Sequence, residues 1–259
     1  MTKVHPTAIV HESAALAADV EVGPWCFIGP DVSIGEGTVL GPGTRIQGPT
    51  TIGSNNRLYG QSSIGTDPQD LKYAGEETRL EMGDRNVIRE FVSINRGTAG
   101  GGGVTRIGSD NLLMVYTHVA HDCQVGSSVV FANAGTLAGH VTVGDFATIG
   151  AFSSVHQFCR VGNHAFLGGY TVLTLDALPF VKTVGSRPAK TYGINTIGLE
   201  RKGFGAESIR VLQKAYRILV RSKLGLVEAL TRIDKDLEVD ENLRYFLDFV
   251  GSSERGIQR

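Results

Sequence analysis

Four of the seven histidines of this chain fall between residues 118 and 156, and two of them stand in the string THVAHDC. An imidazole can accept a proton at neutral pH or ligate a metal ion. The sequence has no GxSxG string and no Ser/His/Asp ordering typical of nucleophilic catalysis. We therefore identify His121 as a candidate general base, with the adjoining Asp122 as the residue that orients its ring.

A hexapeptide repeat has to position these side chains. Aliphatic anchors recur every six residues in three runs, at 4–64, 82–94 and 107–173; Phe131 is the non-aliphatic member of the last run. A period of six suits neither a helix nor an amphipathic strand, but it is typical of a β-helix in which each hexad forms one side of a prism. The sequence therefore predicts a mainly β protein.

Residues 18 apart lie above one another in a three-sided β-helix, at a spacing of about 4.8 Å. One such column contains Val119, Leu137 and Val155. The polar residues that follow these anchors, together with those of the preceding hexad, are expected to line one strip on the outer face of the prism. They are Asn95, Arg96, His121, Asp122, His140, His156 and Gln157, and His118 stands at the corner just before the strip.

The three cysteines occupy equivalent places in the repeat. Cys26, Cys123 and Cys159 each come four residues after an anchor, where the repeat favours small side chains. Their odd number and the absence of a CxxC pair argue against a disulfide framework and against a cysteine-rich zinc site. We interpret them as packed corner residues.

Charge and hydropathy limit the possible partners. The chain carries 25 Lys and Arg against 26 Asp and Glu, a formal net charge of -1, which argues against nucleic-acid binding through bulk charge. No apolar run is long enough for a signal peptide core or a membrane span. The sequence thus predicts a cytoplasmic protein without an integral membrane segment.

Two insertions and one change of pattern divide the chain. Insertions at about 65–81 and 97–106 interrupt the hexads and must project as loops, and long loops on a rigid scaffold commonly carry function. The expected domains are a β-helix over 1–190 and a helical domain over 191–259. The segment 201–223 has seven basic residues and one acidic residue, which is a candidate docking surface for an acidic partner or a solvated helix face.

Several strings beyond the hexads carry a resemblance. QDLKYAGE, DNLLMVYTHVAHDC, TLAGHV, SVHQFC and GLERKGF resemble the UDP-N-acetylglucosamine O-acyltransferases of lipid A biosynthesis over almost the whole chain. The resemblance implies a left-handed parallel β-helix with a C-terminal α-helical appendage. It also implies a homotrimer with sites in the grooves between subunits, and no cofactor or metal.

The resemblance implies the reaction and its residues. His121 would deprotonate the glucosamine 3-hydroxyl of UDP-N-acetylglucosamine, which then attacks the thioester of a 3-hydroxyacyl chain on acyl carrier protein. Gly169 and Phe166 would set the acyl length. The positions that match substrate contacts are Asp70, Lys72, His118, His140, His156, Gln157, Asn195, Arg201 and Lys202, with the two loop residues reaching across the subunit boundary.

The chain departs from the family pattern at three positions. Asn95 stands where the family often has His, Ile197 where it often has Glu, and Lys202 where it has Arg. The acceptor is therefore left open between the 3-hydroxyl sugar and a 3-amino analogue. A carbonic-anhydrase-like zinc lyase using His118, His121 and His140 is the alternative from a different class.

Overall fold

The computed structural model describes residues 2–259, and its strands are short. In chain order they are β1 (Lys3–Val4), β2 (Ile9–Val10), β3 (Ala15–Leu16), β4 (Glu21–Val22), β5 (Phe27–Ile28), β6 (Val32–Ile34), β7 (Val39–Leu40), β8 (Arg45–Ile46), β9 (Thr50–Ile52), β10 (Arg57–Leu58), β11 (Ser63–Thr66), β12 (Arg79–Met82), β13 (Val87–Ile88), β14 (Ser93–Asn95), β15 (Val104–Ile107), β16 (Leu112–Leu113), β17 (His118–Val119), β18 (Gln124–Val125), β19 (Val130–Phe131), β20 (Thr136–Leu137), β21 (Thr142–Val143), β22 (Thr148–Ile149), β23 (Ser154–Val155), β24 (Arg160–Val161), β25 (Phe166–Leu167), β26 (Val172–Leu173), β27 (Val181–Val184) and β28 (Lys190–Ile194).

Three sheets form the sides of a left-handed β-helix. Every third strand joins the same sheet: β1, β4 and β7 begin the first, β2, β5 and β8 the second, and β3, β6 and β9 the third. All pairs are parallel except β27 with β28, which closes the first sheet. In regular coils the paired residues are 18 apart, as Val119 is from Leu137. The expected fold class is confirmed.

The corners of the β-helix have a repeated backbone conformation. The third residue after almost every anchor has a positive φ, as at Asp122 (60°), His140 (61°) and Phe158 (63°). Because this conformation recurs every 18 residues, side chains at one corner lie above one another. The rings of Phe91 and Tyr116 stack in this way at 5.1 Å between centroids.

Both insertions leave the β-helix at the corner between the second and third sheets. The first lies between β11 and β12 and therefore covers 67–78, a shorter range than the expected 65–81. The second, between β14 and β15, contains a 3-10 helix at Ala99–Gly101 and covers 96–103. In the next three coils the same corner holds Asp122, His140 and Phe158.

The anchors fill the prism as predicted. Every anchor from Val22 to Leu173 is at most 4% exposed, and the three cysteines are buried among them. Burial raises the pKa of the Cys123 thiol to about 12, which supports a packing role rather than a nucleophilic one. The first coil is open, since Val4 is 45% exposed.

The helical part follows β28 and has its own core. It consists of α1 (Thr196–Arg201), α2 (Ala206–Tyr216), a π-helical turn (Arg217–Arg221), α3 (Leu226–Asp236) and α4 (Glu241–Gly251). Leu212, Ile233 and Phe246 are fully buried there. The expected domain boundary at 190 falls on the first residue of β28, and the first helix begins six residues later. Within residues 2–259, no helix combines the length and the apolar character that crossing a membrane requires.

Hydrogen bonds and a β-bridge connect the helical part and the C-terminal residues to the last coils of the β-helix. Arg160 donates to Asp176 at 2.9 Å and to the Phe249 carbonyl at 2.8 Å. Asp176 also forms a β-bridge with Ile257. These contacts hold the helical part against the end of the β-helix that lies beyond His140.

Ala134 tests the corner conformation, because it is a half-buried corner residue with φ of 58°. We expect Ala134→Gly to stabilise the protein by about 0.5–1 kcal/mol, since glycine removes the left-handed strain of an L-residue and recovers more than its extra unfolded-state entropy. The control Ala132→Gly, two residues earlier outside the corner, should destabilise it. Urea unfolding at fixed protein concentration measures both, and equal signs would contradict the corner assignment.

Candidate active site

His121 and Asp122 form a hydrogen-bonded pair at the corner between the second and third sheets, from which both insertions leave the β-helix. His121 Nδ1 lies 2.8 Å from Asp122 Oδ2. The Asp122 side chain is 1% exposed and that of His121 is 13% exposed. Because a carboxylate only accepts, Nδ1 carries the proton of the neutral ring and Nε2 is the basic nitrogen. The two residues are therefore hydrogen-bonded, and their roles as general base and orienting aspartate stay a prediction.

His140 packs beside this pair, one coil further along. Its ring meets the His121 ring edge-on at 5.1 Å between centroids and stacks on Phe158 at 4.5 Å. His140 Nε2 is 3.8 Å from Asp122 Oδ2, too long for a hydrogen bond. Asp122, His140 and Phe158 thus form one corner column, with His121 against its side.

The two insertions enclose a pocket of about 270 Å³ in front of His140. The first insertion contributes charged and polar side chains, the second contributes backbone and small side chains, and the corner contributes two rings. The lining residues are Asp70, Lys72, Tyr73, Glu76, Thr98, Ala99, Gly100, His140 and Phe158. Asp70 and Lys72 share this pocket with His140 of their own chain, and their expected action across a subunit boundary stays a prediction.

Gly139 leaves the space that the His121 ring occupies. A Cβ built on Gly139 would lie 2.5 Å from His121 Cε1 and 2.7 Å from its Nε2. These distances are shorter than real Cβ contacts, so any side chain at 139 would displace the imidazole.

His118 lies in β17, three residues before His121, and has a different hydrogen-bond partner. Its Nδ1 shares a hydrogen bond of 2.7 Å with Ser93 Oγ. Burial lowers the pKa of His118, and the neighbouring His121 lowers it further. His118 is therefore suited to a neutral contact rather than to proton uptake.

The zinc alternative required His118, His121 and His140 to converge. Within residues 2–259, the group of candidate ligands whose donor atoms lie within 4.8 Å of one another contains Asp122 in place of His118. The Asp122 oxygens already accept from Thr98 and His121. The geometry therefore favours acid–base chemistry at this corner.

Asn95 and Arg96 do not lie on the open strip where the sequence analysis placed them. They are 2% and 7% exposed. Asn95 Nδ2 donates to Thr66 Oγ1 at 2.9 Å and to the Asp67 carbonyl at 2.8 Å, while Arg96 binds the Asp67 carboxylate and Tyr73 Oη. The expectation was wrong because the first insertion folds back over Asn95 and Arg96. Their side chains hold the start of this insertion by hydrogen bonds.

The remaining strip residues are exposed one coil above His140. His156 and Gln157 both face solvent, and His156 Nδ1 lies 3.3 Å from Arg255 Nη2 of the chain end. Neither lines the pocket in front of His140.

Three predicted substrate residues lie at a different corner. Asn195 directly precedes α1, and its side chain donates to the His164 carbonyl at 3.2 Å. Lys202 Nζ lies 4.9 Å from the Phe146 ring centroid. Burial and the charge of Lys202 lower the pKa of His164 to about 4. Arg201 is exposed on the same helix. One chain does not bring these residues to the pocket in front of His140.

The two predicted acyl-length residues lie together on the first sheet and its corner. Gly169 is exposed, and a Cβ there would meet one atom at an ordinary distance of 3.4 Å. Phe166, in β25, is half-buried. The surface at Gly169 therefore has room for a side chain.

Six residues that line the pocket were not predicted from the sequence: Tyr73, Glu76, Thr98, Ala99, Gly100 and Phe158. Phe158 was detectable, because Asp122, His140 and Phe158 are spaced 18 apart, which is the coil repeat. Tyr73 and Thr98 belong to the insertions, whose backbone paths the repeat does not determine.

Comparisons with known proteins agree with this architecture. Relatives named acyl-(acyl-carrier-protein)–UDP-N-acetylglucosamine O-acyltransferase include one from Alkalilimnicola ehrlichii, 51% identical over 259 residues and all of both chains. One from Stenotrophomonas maltophilia is 50% identical over 257 residues, 99% of this chain and 98% of its own length. This chain belongs to the UDP-N-acetylglucosamine O-acyltransferase family.

Further comparisons extend this assignment to the separate parts of the fold. The family model described as UDP N-acetylglucosamine O-acyltransferase, domain 2, matches residues 176–258. The solved O-acyltransferase structure from Acinetobacter baumannii is 44% identical with a TM-score of 0.96, covering 99% of both chains. The one from Francisella novicida is 40% identical with a TM-score of 0.95, covering 99% of this chain and 94% of its own. The resemblance inferred from the sequence is confirmed, and the chain is a member of an acyltransferase family.

Gly139→Ala tests whether the His121 ring has to sit where it does. We expect kcat for acyl transfer to fall at least about 100-fold, because the added methyl group displaces the base. Gly225→Ala is the matched control, since a Cβ at this helix cap meets no atom within 4 Å. Circular dichroism checks that both variants fold. Full activity of a folded Gly139→Ala variant would contradict the placement of His121.

Proposed function

We propose that this chain transfers a 3-hydroxyacyl group from acyl carrier protein to the glucosamine 3-position of UDP-N-acetylglucosamine, at the start of lipid A biosynthesis. Family membership supports the substrates, since the relatives that carry this name match over the full length. The corner pair of His121 and Asp122 supports the mechanism.

The observation that carries the proposal is the hydrogen bond from His121 Nδ1 to Asp122. It directs the basic Nε2 away from the carboxylate. His121 Nε2 takes the proton of the sugar 3-hydroxyl as the oxygen attacks the thioester carbonyl carbon. The C–S bond then breaks, and the imidazolium returns the proton to the leaving thiolate, so that an ester and a free carrier thiol result.

The pocket in front of His140 is suited to the sugar nucleotide. Lys72 supplies a positive charge for a diphosphate, and Asp70 supplies an acceptor for sugar hydroxyls or an amide N–H. Asp70 Oδ1 also accepts the backbone N–H of Lys72 at 3.0 Å, which shapes this part of the first insertion. His140 forms the opposite wall.

The basic segment of the helical part is suited to acyl carrier protein, which is strongly acidic. All seven of its basic residues are exposed: Arg201, Lys202, Arg210, Lys214, Arg217, Arg221 and Lys223. Arg210 pairs with Glu207, the one acid of the segment. The unbalanced positive charge favours capture of an acidic partner by long-range attraction.

A homotrimer would complete the site. Asn195, Arg201 and Lys202 lie at a corner other than that of His121, so in the proposed assembly a neighbouring subunit supplies them. Gly169 and Phe166 would bound the acyl chain in the groove between subunits. We place the enzyme in the cytoplasm, where its proposed nucleotide and carrier substrates are made, and propose that it works without a metal or cofactor.

The acceptor atom is proposed to be the 3-hydroxyl oxygen. Asn95 departs from the family pattern, but it is buried under the first insertion and bonded to Thr66 and Asp67. Its departure therefore does not remove a side chain from the pocket wall. Ile197, 64% exposed on α1, remains the position that favours the 3-amino alternative.

His121→Ala is expected to lower kcat at least about 100-fold and to leave the fold intact, because a half-buried corner side chain contributes little to the aliphatic core. The assay uses 3-hydroxyacyl carrier protein with UDP-N-acetylglucosamine and, separately, its 3-amino analogue. Transfer to the amine alone would change the proposed product. Acyl transfer that disappears on chelation and returns with zinc would instead mean that the site works through a metal ion, for which His121, Asp122 and His140 are the candidate ligands.

Gly169→Met is expected to shift the preference towards shorter acyl chains, because the new side chain fills exposed space at the end of the proposed groove. The ratio of kcat/KM between the longest and shortest accepted chains should fall about 10-fold or more. A ladder of 3-hydroxyacyl carrier proteins measures this ratio. An unchanged ladder profile would remove Gly169 from this role.

A further inference from the structure

Thr98, in the second insertion, donates two hydrogen bonds to the Asp122 carboxylate. Its backbone N–H donates to Oδ1 at 2.8 Å, and its hydroxyl donates to Oδ2 at 2.6 Å. Thr98 is 8% exposed and Asp122 is 4% exposed, so water does not compete freely for these bonds. The insertion is therefore bonded directly to the partner of the base.

The two bonds fix the rotation of the carboxylate. The Thr98 N–H holds Oδ1, while Oδ2 receives both the Thr98 hydroxyl and His121 Nδ1. Rotation about the Cβ–Cγ bond of Asp122 would break all three bonds at once. The backbone N–H of Asp122 is held separately by Thr105 Oγ1 at 2.8 Å. Neither the backbone nor the carboxylate of Asp122 is free to turn away from His121.

The shape of the second insertion matches this contact. A Cβ on Gly101 would collide with the Asp122 carboxyl carbon, so the 3-10 helix at Ala99–Gly101 packs directly on the aspartate. Thr98, Ala99 and Gly100 also line the pocket in front of His140. The segment 98–101 thus contributes Thr98, Ala99 and Gly100 to the pocket wall and packs on Asp122 through Thr98 and Gly101.

We propose that Thr98 is a positioning residue, which acts through Asp122 to hold the His121 ring in its productive orientation. This inference rests on the proposed function, because it assigns Thr98 to the acyl-transfer step. Thr98 carries no proton in the reaction. Its hydroxyl helps to fix the plane of the Asp122 carboxylate, and thereby the direction in which His121 Nε2 points.

Thr98→Val keeps the size and branching of the side chain and removes only the hydroxyl. We expect kcat to fall about 10-fold, the cost of one hydrogen bond to a buried charged group, while KM for the sugar nucleotide stays within about twofold. Thr98→Ser restores the hydroxyl and should return kcat to within about threefold of wild type. Rescue by serine separates the hydrogen bond from packing.

A matched control measures the general cost of a lost buried hydroxyl. Thr44 is fully buried in a lower coil, and its Oγ1 donates to the Gly41 carbonyl at 2.9 Å. Thr44→Val should lower the thermal midpoint and leave kcat unchanged. If Thr98→Val is equally destabilised yet retains full kcat, or if it raises KM alone, the positioning role is wrong.

The His121→Ala background separates this inference from the proposed function. Because Thr98 acts through the base, Thr98→Val should cause no further loss of residual transfer in that background. If His121→Ala remains active, the proposed mechanism fails. If His121→Ala is inactive and Thr98→Val keeps its kcat, the mechanism stands and only the role of Thr98 fails.

Discussion

The left-handed backbone conformation at each corner is the constraint on which this molecule depends. An L-residue in this region costs about 1–2 kcal/mol, and the chain accepts that cost at coil after coil. In return, each coil closes on a fixed number of residues, so that the aliphatic anchors stay inside the prism. The same closure aligns corner side chains into columns, and one column contains Asp122, His140 and Phe158.

The corner that carries the candidate active site combines this rigid column with the two insertions that interrupt the hexapeptide repeat. In consecutive coils, one corner carries the first insertion, the second insertion, Asp122, His140 and Phe158. The β-helix fixes the positions of the aspartate and the two rings. The insertions add the side chains and backbone that form the remaining walls of the pocket. Buried bonds from Asn95 and Arg96 fasten the first insertion, and the grip of Thr98 on Asp122 fastens the second.

Much of this arrangement could be predicted from the sequence, because the six-residue period reports burial directly. The anchors, the column containing Val119, the helical tail and the pairing of His121 with Asp122 all followed from spacing and residue type. The burial of Asn95 and Arg96 did not, since it depends on where the first insertion folds. The role of Thr98 could not be predicted for the same reason, because Thr98 lies in an insertion and outside the hexapeptide repeat. Neither a threonine nor a glycine-rich loop indicates a hydrogen bond to Asp122.

The insertions also bear on how the chain folds. Paired strands in regular coils bring together residues 18 apart, whereas the two coils that carry insertions close over 30 and 25 residues. Closure entropy grows only with the logarithm of loop length, so each longer closure costs less than about 0.5 kcal/mol more than a regular one. A repeat protein of this kind can therefore acquire loops at one corner with almost no kinetic penalty to the coil-by-coil growth of its sheets.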